Sequence, residues 1–329
     1  MENTLTFDPS VAELFREQLS GATSVLIGSH LNPDGDALGS SLALSHYLWS
    51  QGIKNEVLNH HQPPHNLRFL PGVSKIRQQP IHDGHDLGII VDLDAVHRLG
   101  NMAQYFENIP QLIVIDHHVP IESPGDLRIV DTTAAATALI LCRLFDQLEA
   151  TITPEMATCL LTGIVTDTGS FRFRNTSPES LVWAANLIQA GGDINRVCEE
   201  VFQRKPLSSV RLLGHMLDRM ELDCNNRLAF GTISVSDFEY AEATDEDTEG
   251  FVNELLSIES VEIAALFREV RPLKVRVSLR SRADYDVAGV AQEVGGGGHR
   301  NAAGCSFDMT LDEAVDVLIP RLRACLESS

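Results

Sequence analysis

Residues 24–40, SVLIGSHLNPDGDALGS, place one histidine and two carboxylates directly after a short apolar run. The run at residues 25–27 is typical of a buried strand, and the Pro and Gly that follow it are typical of a tight turn. His30, Asp34 and Asp36 lie on this turn, and the residues after them have the apolar spacing of a helix. A strand, a polar turn and a helix in this order predict an α/β fold.

Short apolar runs alternate with helical patterns throughout the first half of the chain. This alternation predicts a parallel sheet with helices on both faces. Residues 193–220 are helical and more polar, so we interpret them as a helical connector between a domain at 1–192 and a smaller α+β domain at 221–329. The predicted strands are 25–29, 55–58, 87–92, 112–116, 127–130, 228–235, 261–268 and 274–280, and the predicted helices are 36–50, 134–148, 154–165, 179–190, 287–294 and 311–326.

The composition limits the classes of function. The chain is 43% hydrophobic, which is ordinary for a globular protein, and no apolar run approaches the roughly 18 residues of a membrane span. The N-terminal residues lack a basic stretch followed by an apolar one, so we expect a cytoplasmic protein without a membrane partner. The net charge of −21 argues against a protein that coats long DNA, but it allows a short phosphorylated substrate at one local site.

Other features of the composition favour ordinary structural roles. The six cysteines are scattered without a CxxC pair, which argues against a disulfide framework or a thiolate zinc site. Residues 237–262 are rich in carboxylates and contain no Lys or Arg, which predicts a solvated face.

Four clusters of acidic or histidine residues each fall at the end of a predicted strand or helix. In an open parallel sheet, ligands bind beyond the carboxyl ends of the strands, so we expect the clusters to converge on one edge. A lone Asp in such a place is usually a turn or cap residue, and we interpret Asp94 and Asp131 in that way. Four clusters at four termini favour a common site. They are His30, Asp34 and Asp36; Asp92; Asp116, His117 and His118; and Asp167.

The residue types in these clusters indicate a kind of chemistry. Carboxylates and imidazoles without thiolates favour divalent ions such as Mn²⁺ or Mg²⁺ over structural zinc. The donors exceed what one ion needs, and a carboxylate between two ions about 3.5–4 Å apart is the arrangement of two-metal phosphoester hydrolysis. The sequence therefore predicts two divalent cations, Mn²⁺ by preference, that activate a water for attack on a phosphoryl group.

Two stretches in the second domain predict a phosphate pocket. VGGGGHRNAAG at residues 294–304 contains four consecutive glycines, which would let backbone N–H groups approach an anion closely. A glycine run alone is more often a flexible turn. VSLRSR at residues 277–282 adds the guanidinium of Arg280 and the hydroxyl of Ser281, which together with backbone amides would hold a terminal phosphate.

These motifs, taken together and in this order, resemble those of the DHH phosphoesterases. The resemblance rests on HLNPDGDALGS, VDLDAVHRLG, VIDHH, TDTGSF, SLRS and GGGGHRNAAG, and it covers most of the chain. It is nearest to the stand-alone nanoRNase type, RecJ-related members that degrade very short RNA and dephosphorylate 3′-phosphoadenosine 5′-phosphate. It implies that residues 1–192 are the DHH catalytic domain and that 221–329 are the DHH-associated substrate-binding domain. The resemblance does not place the additional carboxylate of Asp94.

The resemblance also implies a role for each site residue. Asp116 would orient a ligand histidine, and His118 would contact the scissile phosphate or the leaving oxygen. The implied ligands of one cation are His30, Asp34 and Asp92, and those of the other are Asp36, Asp92, His117 and Asp167, with Asp92 as the bridge. The implied contacts of the far phosphate and of the base or sugar are Arg280, Ser281, Gly297, Gly298 and His299.

The expected activity is the hydrolysis of short oligoribonucleotides, linear dinucleotides or 3′-phosphoadenosine 5′-phosphate. A RecJ-like single-strand exonuclease is an alternative, but such enzymes carry further nucleic-acid-binding domains. An inorganic pyrophosphatase would not need the second-domain motifs, and cyclic-dinucleotide enzymes often carry membrane and sensor segments. A catalytically silent nucleotide sensor is the alternative from another class, and the presence of every implied ligand argues against it. The sequence leaves open a homodimer, the polarity of degradation and the physiological metal.

Overall fold

Two units of the chain, Met1–Arg204 and Lys205–Ser329, each contain their own sheet. The computed structural model describes residues 9–93, 95–119 and 124–327, so Asp94 lies outside the described residues. The boundary between the units falls inside residues 193–220. The role of that segment as a connector stays a prediction.

The strands of the first unit form one six-stranded parallel sheet. They are β1 (Ser24–Gly28), β2 (Lys54–Leu58), β3 (Ile76–Arg77), β4 (Leu87–Val91), β5 (Leu112–Asp116) and β6 (Leu127–Val130). Their order is β3-β2-β1-β4-β5-β6, and each neighbouring pair is parallel. The order of the strands therefore reverses between β1 and β4. β4 is buried along its whole length, as the continuous apolar run predicts for a central parallel strand.

Helices cover the two faces of this sheet unequally. They are α1 (Pro9–Ser20), α2 (Gly35–Ser50), α3 (Ala103–Phe106), α4 (Thr137–Gln147), α5 (Pro154–Asp167), α6 (Pro178–Gln189) and α7 (Ile194–Cys198). The larger core joins one face of the sheet to α1, α2, α4 and α5. The smaller core, on the other face, is covered by α3 and by a 3₁₀ segment at Val96–Met102. Further short turns are 3₁₀ at His65–Leu67 and Val73–Lys75, and π-helical at Glu199–Gln203.

Close packing of α2 against α5 brings two sequence-distant segments to the same edge of the sheet. A Cβ atom added at Gly39 would lie 2.4 Å from the carbonyl oxygen of Cys159. One added at Gly163 would lie 2.5 Å from Oδ1 of Asp36. Glycine is required at both positions because only it lets the helices approach this closely. The amino end of α2 and the carboxyl end of α5 therefore meet.

The substitution Gly39→Ala should destabilise the first unit by about 2 kcal/mol, because the added methyl forces α2 and α5 apart. Urea denaturation measures this loss. Gly214→Ala is the matched control, since a Cβ there meets nothing within 4 Å, and alanine should stabilise its helix by about 0.5–1 kcal/mol. Equal stabilities for Gly39→Ala and the wild type would show that the two helices can separate without cost.

The second unit is a mixed sheet between two layers of helices. Its strands are β7 (Glu221–Asp223), β8 (Leu228–Ile233), β9 (Ile263–Arg271), β10 (Lys274–Ser281), β11 (Gly297–His299) and β12 (Ala302–Phe307), and its helices are α8 (Leu207–Asp218), α9 (Val235–Ala241), α10 (Phe251–Leu256), α11 (Val287–Gln292) and α12 (Leu311–Glu327). The strand order is β11-β12-β10-β9-β8-β7, and only the β8–β9 pair is parallel among the described strands. α11 and α12 pack on one face, and α8, α9 and α10 on the other.

The predicted fold class is confirmed, with a parallel α/β sheet followed by a smaller α+β unit. The prediction of a solvated face at residues 237–262 holds for most of its carboxylates, which are exposed or partly exposed, but not for two of them. This segment contains α9, a 3₁₀ turn at Asp245–Thr248 and α10, and the side chains of Asp237 and Asp247 are buried. Each of these carboxylates accepts a backbone N–H, from Ser234 and Thr244 respectively, at 2.8 Å. Asp237 and Asp247 are therefore capping residues. Composition alone had predicted that their carboxylates face solvent.

Candidate metal centre

The predicted site residues of the first unit converge on the carboxyl edge of its sheet. His30 follows β1, Asp92 follows β4, and Asp116 ends β5. β1 and β4 are the neighbours between which the strand order reverses, and such a reversal leaves a crevice where ligands bind in α/β folds. Asp36 on the first turn of α2 and Asp167 at the end of α5 reach the same edge.

Two carboxylates on the turn after β1 hold helix ends in place. Asp34 caps α2, and its Oδ1 accepts the N–H groups of Asp36 and Ala37, both at 3.0 Å. Asp36 is fully buried and accepts the N–H groups of Thr137 at 2.6 Å and Ala138 at 2.9 Å. The first turn of α4 has no side-chain cap of its own, so Asp36 supplies one from a distant part of the sequence.

Asp92 lies at the middle of the site in an uncommon backbone conformation. Its φ is 59°, in the left-handed region that costs a non-glycine residue about 1–2 kcal/mol. The side chain is only 2% exposed. Its Oδ2 lies 3.3 Å from Nε2 of His30, and its Oδ1 lies 3.5 Å from Nε2 of His117. The two oxygens of one carboxylate therefore face two different histidines.

The hydrogen bonds of His30 and His117 leave Nε2 of each ring facing a carboxylate. Nδ1 of His30 lies 2.9 Å from the carbonyl of Leu31, and Nδ1 of His117 lies 3.2 Å from the carbonyl of Ala134. A carbonyl only accepts, so both Nδ1 atoms carry the proton and each neutral ring presents a lone pair at Nε2. These lone pairs face carboxylate oxygens, which is repulsive unless a cation or a proton lies between them.

The carboxylates around His117 lie close together, and this changes the pKa values of the group. Burial raises the pKa of Asp36 well above its usual range, and the charges of Asp92 and Asp167 add to the effect. Burial likewise raises the pKa of Asp167 to about 6, although the hydrogen bond with His117 opposes the shift. Burial opposes protonation of His117, but its contact with Asp167 and the nearby charges raise its pKa to about 11. A divalent cation between Nε2 of His117 and the carboxylates would take the place of the proton there.

The described residues contain donor groups that fit such cations. Carboxylate and imidazole atoms converge within 4.8 Å of one another in three sets that share Asp92. Oxygen and nitrogen donors of this kind suit Mn²⁺ and Mg²⁺. Two of them match the implied ligands: His30, Asp34 and Asp92, and Asp36, Asp92 and His117, with Oδ2 of Asp167 at 3.2 Å from Nε2 of His117. The third set is Asp92, Asp116 and His118.

Asp116 contacts a different histidine ring from the one that the resemblance implied. Its Oδ1 accepts from Nδ1 of His118 at 2.7 Å and from the backbone N–H of His117 at 2.8 Å. The ring of the candidate ligand His117 is oriented by the Ala134 carbonyl instead. Oδ2 of Asp116 is buried and has no hydrogen-bond partner among the described residues. Asp116 therefore fixes the orientation of His118.

Two side chains at this edge were missed by the sequence analysis. Oγ1 of Thr137 donates to Oδ1 of Asp92 at 3.0 Å, so the start of α4 holds Asp92 as well as Asp36. The buried side chain of Asn59, directly after β2, donates to the carbonyl of His30 at 2.9 Å. Asn59 could have been found, since it is another polar residue at a strand end. Thr137 gives no such signal.

Arg280 and Ser281, predicted to hold a phosphate, lie at the end of β10 in the second unit. The Arg280 side chain is half-buried, and its Nη1 donates to the carbonyl of Leu279 at 3.0 Å. Ser281 is buried, and its hydroxyl donates to the carbonyl of Tyr285 at 2.7 Å and accepts from Nδ2 of Asn301 at 2.8 Å. The Ser281 hydroxyl thus holds the loop after β10.

The glycine segment forms an edge strand, where the sequence allowed a flexible turn. Gly297, Gly298 and His299 make up β11, which pairs with β12. Gly298 has φ 141°, and a Cβ there would lie 2.5 Å from the carbonyl oxygen of Ala302. A Cβ at Gly297 would meet nothing within 4 Å. Gly298 is therefore required by the hairpin itself, whereas Gly297 leaves an open surface beside the strand.

Asp131 has the ordinary role expected of it. Its Oδ1 accepts the N–H of Thr133 at 2.9 Å, and its Oδ2 forms an ion pair with Arg143.

The helices in the described part of the chain include none with the length and apolar character of a membrane span.

Comparison with known proteins identifies the family of this chain. The DHH family N-terminal domain matches residues 24–164, and the DHHA1 domain matches residues 230–328. A Thermus thermophilus protein named bifunctional oligoribonuclease and PAP phosphatase NrnA is 35% identical over 91% of this chain and 89% of its own length. A Bacillus subtilis protein of the same name is 28% identical over 92% of this chain and 95% of its own length.

A solved structure shares the whole architecture. The crystal structure of an exopolyphosphatase-related protein from Bacteroides fragilis has a TM-score of 0.90, is 29% identical and covers 98% of both chains. The edge on which the histidines and carboxylates converge lies within the matched first domain. This chain belongs to the DHH family of phosphoesterases, in the two-domain form in which a DHH domain is followed by a DHHA1 domain.

Proposed function

We propose that this protein is a Mn²⁺-dependent phosphoesterase that hydrolyses short oligoribonucleotides, linear dinucleotides and 3′-phosphoadenosine 5′-phosphate. The observation that carries the proposal is that Asp92 belongs both to the set with His30 and Asp34 and to the set with Asp36 and His117. The names of the relatives from Thermus thermophilus and Bacillus subtilis support the substrate class. Two-metal sites of this composition are suited to phosphoester hydrolysis.

Each side chain has a proposed task at the site. One cation is assigned to His30, Asp34 and Asp92, and the other to Asp36, Asp92, His117 and Asp167. Bound divalent cations would lower the pKa of a water molecule and offset charge on the phosphoryl oxygens. Thr137 and the Ala134 carbonyl keep Asp92 and His117 in the ligating orientation. His118, oriented by Asp116, would contact the scissile phosphate or the leaving oxygen.

We assign to the second unit the end of the substrate that carries the terminal phosphate, away from the bond that is cut. Arg280, Gly297 and His299 would contact the terminal phosphate and the base or sugar, with Ser281 and Gly298 shaping the backbone around them. A cytoplasmic location remains part of the proposal and fits the six cysteines, all of which are free thiols. A homodimer stays a prediction.

A comparison of four compounds in the presence of Mn²⁺ tests the proposed activity. We expect rapid hydrolysis of a 5′-phosphorylated diribonucleotide and of 3′-phosphoadenosine 5′-phosphate, and slow hydrolysis of a long RNA and of pyrophosphate. Faster turnover of the long RNA would indicate a RecJ-like exonuclease. Binding without any turnover would indicate a nucleotide sensor, and either result would contradict the proposal.

The substitution Arg280→Ala should raise KM for a diribonucleotide by about 10- to 100-fold, because a charged hydrogen bond contributes about 1.5–3 kcal/mol. The same variant should hydrolyse bis(p-nitrophenyl) phosphate nearly as well as the wild type, since that substrate has no far phosphate. Lys274→Ala is the control, because Lys274 is paired with Asp308 at the other end of β10. Equal losses on both substrates would show that Arg280 does not bind a substrate phosphate.

A further inference from the structure

Three arginines gather on one face of the sheet in the second unit. Burial alternates along β10, and its apolar residues pack against α11 and α12. Arg276, Ser278 and Arg280 therefore share the opposite face, with successive side chains about 7 Å apart. Arg268 of β9 lies directly across from Arg276 in the antiparallel register. Like charges opposite one another in a sheet repel, so this face needs a compensating anion.

One carboxylate, Asp245, compensates two of these arginines. Its Oδ1 accepts from Nη1 of Arg268 at 2.8 Å, and its Oδ2 accepts from Nη1 of Arg276 at 2.7 Å. Arg268 also donates to Oγ1 of Thr248 at 2.9 Å and to Oγ of Ser278 at 3.0 Å. The side chains of Asp245 and Arg276 are 26% and 39% exposed, so the bridge lies within reach of a ligand from solvent.

Arg280, the third arginine, differs from the other two. Among the residues that the structure describes, no carboxylate forms an ion pair with its guanidinium. Glu249 lies close enough to act on it electrostatically, and the donor bond to the Leu279 carbonyl is local. A guanidinium has five N–H donors, so most of those of Arg280 have no acceptor in the described part of the chain.

We propose that Asp245 is a specificity-determining residue that restricts this face to a single phosphate group. The identity of the ligand, a short RNA, rests on the function proposed above. Arg280 would take one phosphate, whereas a second phosphate approaching Arg276 would meet the negative charge of Asp245 and compete with it for both guanidiniums. Asp245 would thus disfavour substrates that present several phosphates to the second unit.

The substitution Asp245→Asn tests this, with binding measured by fluorescence anisotropy of labelled, 5′-phosphorylated di- and tetraribonucleotides. A chelator removes divalent cations, so the comparison does not depend on hydrolysis and remains informative if the proposed activity is absent. We expect Kd for the tetranucleotide to fall about tenfold, and Kd for the dinucleotide to change little. The slope of log Kd against log salt should steepen by about 0.7 for the added phosphate contact.

Asp223→Asn is the matched control, since it releases Arg323 of α12, on the opposite side of the sheet, from an ion pair in the same unit. It should leave both affinities unchanged. Equal affinities and equal salt slopes for Asp245→Asn and the wild type would overturn the proposal.

A second variant, Arg276→Gln, keeps the proposal testable if Asp245→Asn does not fold. Because Arg276 already forms an ion pair with Asp245, the substitution should leave the affinity for both nucleotides at the wild-type value. In combination with Asp245→Asn it should abolish the gain for the tetranucleotide. A loss of affinity in Arg276→Gln alone would mean that Arg276 already binds phosphate, and the proposal would then be wrong.

Discussion

Replacing Asp92 with asparagine should lower kcat/KM by about 10³-fold or more on every phosphoester that the wild type hydrolyses. The two oxygens of Asp92 face His30 and His117, so a single substitution removes an anionic ligand from both candidate cation positions. A loss of about 4 kcal/mol of transition-state stabilisation corresponds to this factor, and metal sites supply several kcal/mol. Steady-state kinetics with Mn²⁺ and isothermal titration of Mn²⁺ into the metal-free variant measure the two consequences.

Asp86→Asn is the matched control for Asp92→Asn, because Asp86 lies at the opposite end of the same strand. Its carboxylate accepts from the backbone N–H groups of Thr23 and Ser24 at 2.8 and 3.0 Å. That substitution should cost about 1 kcal/mol of stability and leave kcat/KM unchanged. An Asp92→Asn variant with wild-type activity would remove the basis for a shared bridging carboxylate.

Without divalent cations, the first unit should lose stability as the pH rises from about 4 to about 7. Burial raises the pKa of Asp167 to about 6 and raises that of Asp36. A carboxyl group whose pKa is higher in the folded than in the unfolded protein stabilises the fold below its unfolded pKa, and this contribution disappears as the pH rises through its folded pKa. For Asp167 the difference corresponds to about 3 kcal/mol.

The histidines add to the loss of stability with rising pH, whereas Asp92 opposes that loss only at acidic pH. The pKa values of His30 and His117 are also raised, so their contributions are complete below pH 6.5 and are lost as the pH rises from there through the folded pKa, about 11 for His117. That of Asp92 is lowered, so its contribution is lost only as the pH falls below about 4.

Calorimetry in a chelating buffer at several pH values measures the loss of stability. Saturating Mn²⁺ at pH 7 should restore about 2.7 kcal/mol when its concentration is 100 times Kd. Asp167→Asn should flatten the pH dependence. Asp126→Asn should not, because the Asp126 carboxylate accepts the N–H of Leu112 at the opposite end of the sheet. A metal-free protein that is more stable at pH 7 than at pH 5 would contradict this account of the cluster.

The sequence predicted five of the six strands of the first sheet, because most of these are short apolar runs that end at a polar residue. It missed β3, which is only two residues long. β5 and β6 have the predicted bounds, β2 and β4 differ by one residue at one end, and β1 is shifted by one residue at both ends. A polar group at a strand end is a local signal, so the convergence of His30, Asp92 and Asp116 could be expected from the order of the runs alone. Spacing gave no indication that the two oxygens of Asp92 face different histidines.

What the sequence could not predict depends on contacts between distant residues. The helix predicted from Ala134 begins at Thr137, because its first N–H groups bind Asp36 from another part of the chain. The glycines at 297–298 form an edge strand because β12 pairs with them. Asp237 is buried because its carboxylate caps α9, although it belongs to a segment rich in exposed carboxylates.

Anomalous diffraction from crystals grown with Mn²⁺ tests most directly whether two cations share one carboxylate. We expect two anomalous peaks about 3.5–4 Å apart. One should lie among His30, Asp34 and Asp92, and the other among Asp36, Asp92, His117 and Asp167. Crystals of the folded protein with no peak beside Asp92, or with a single peak that Asp92 does not bridge, would contradict the account.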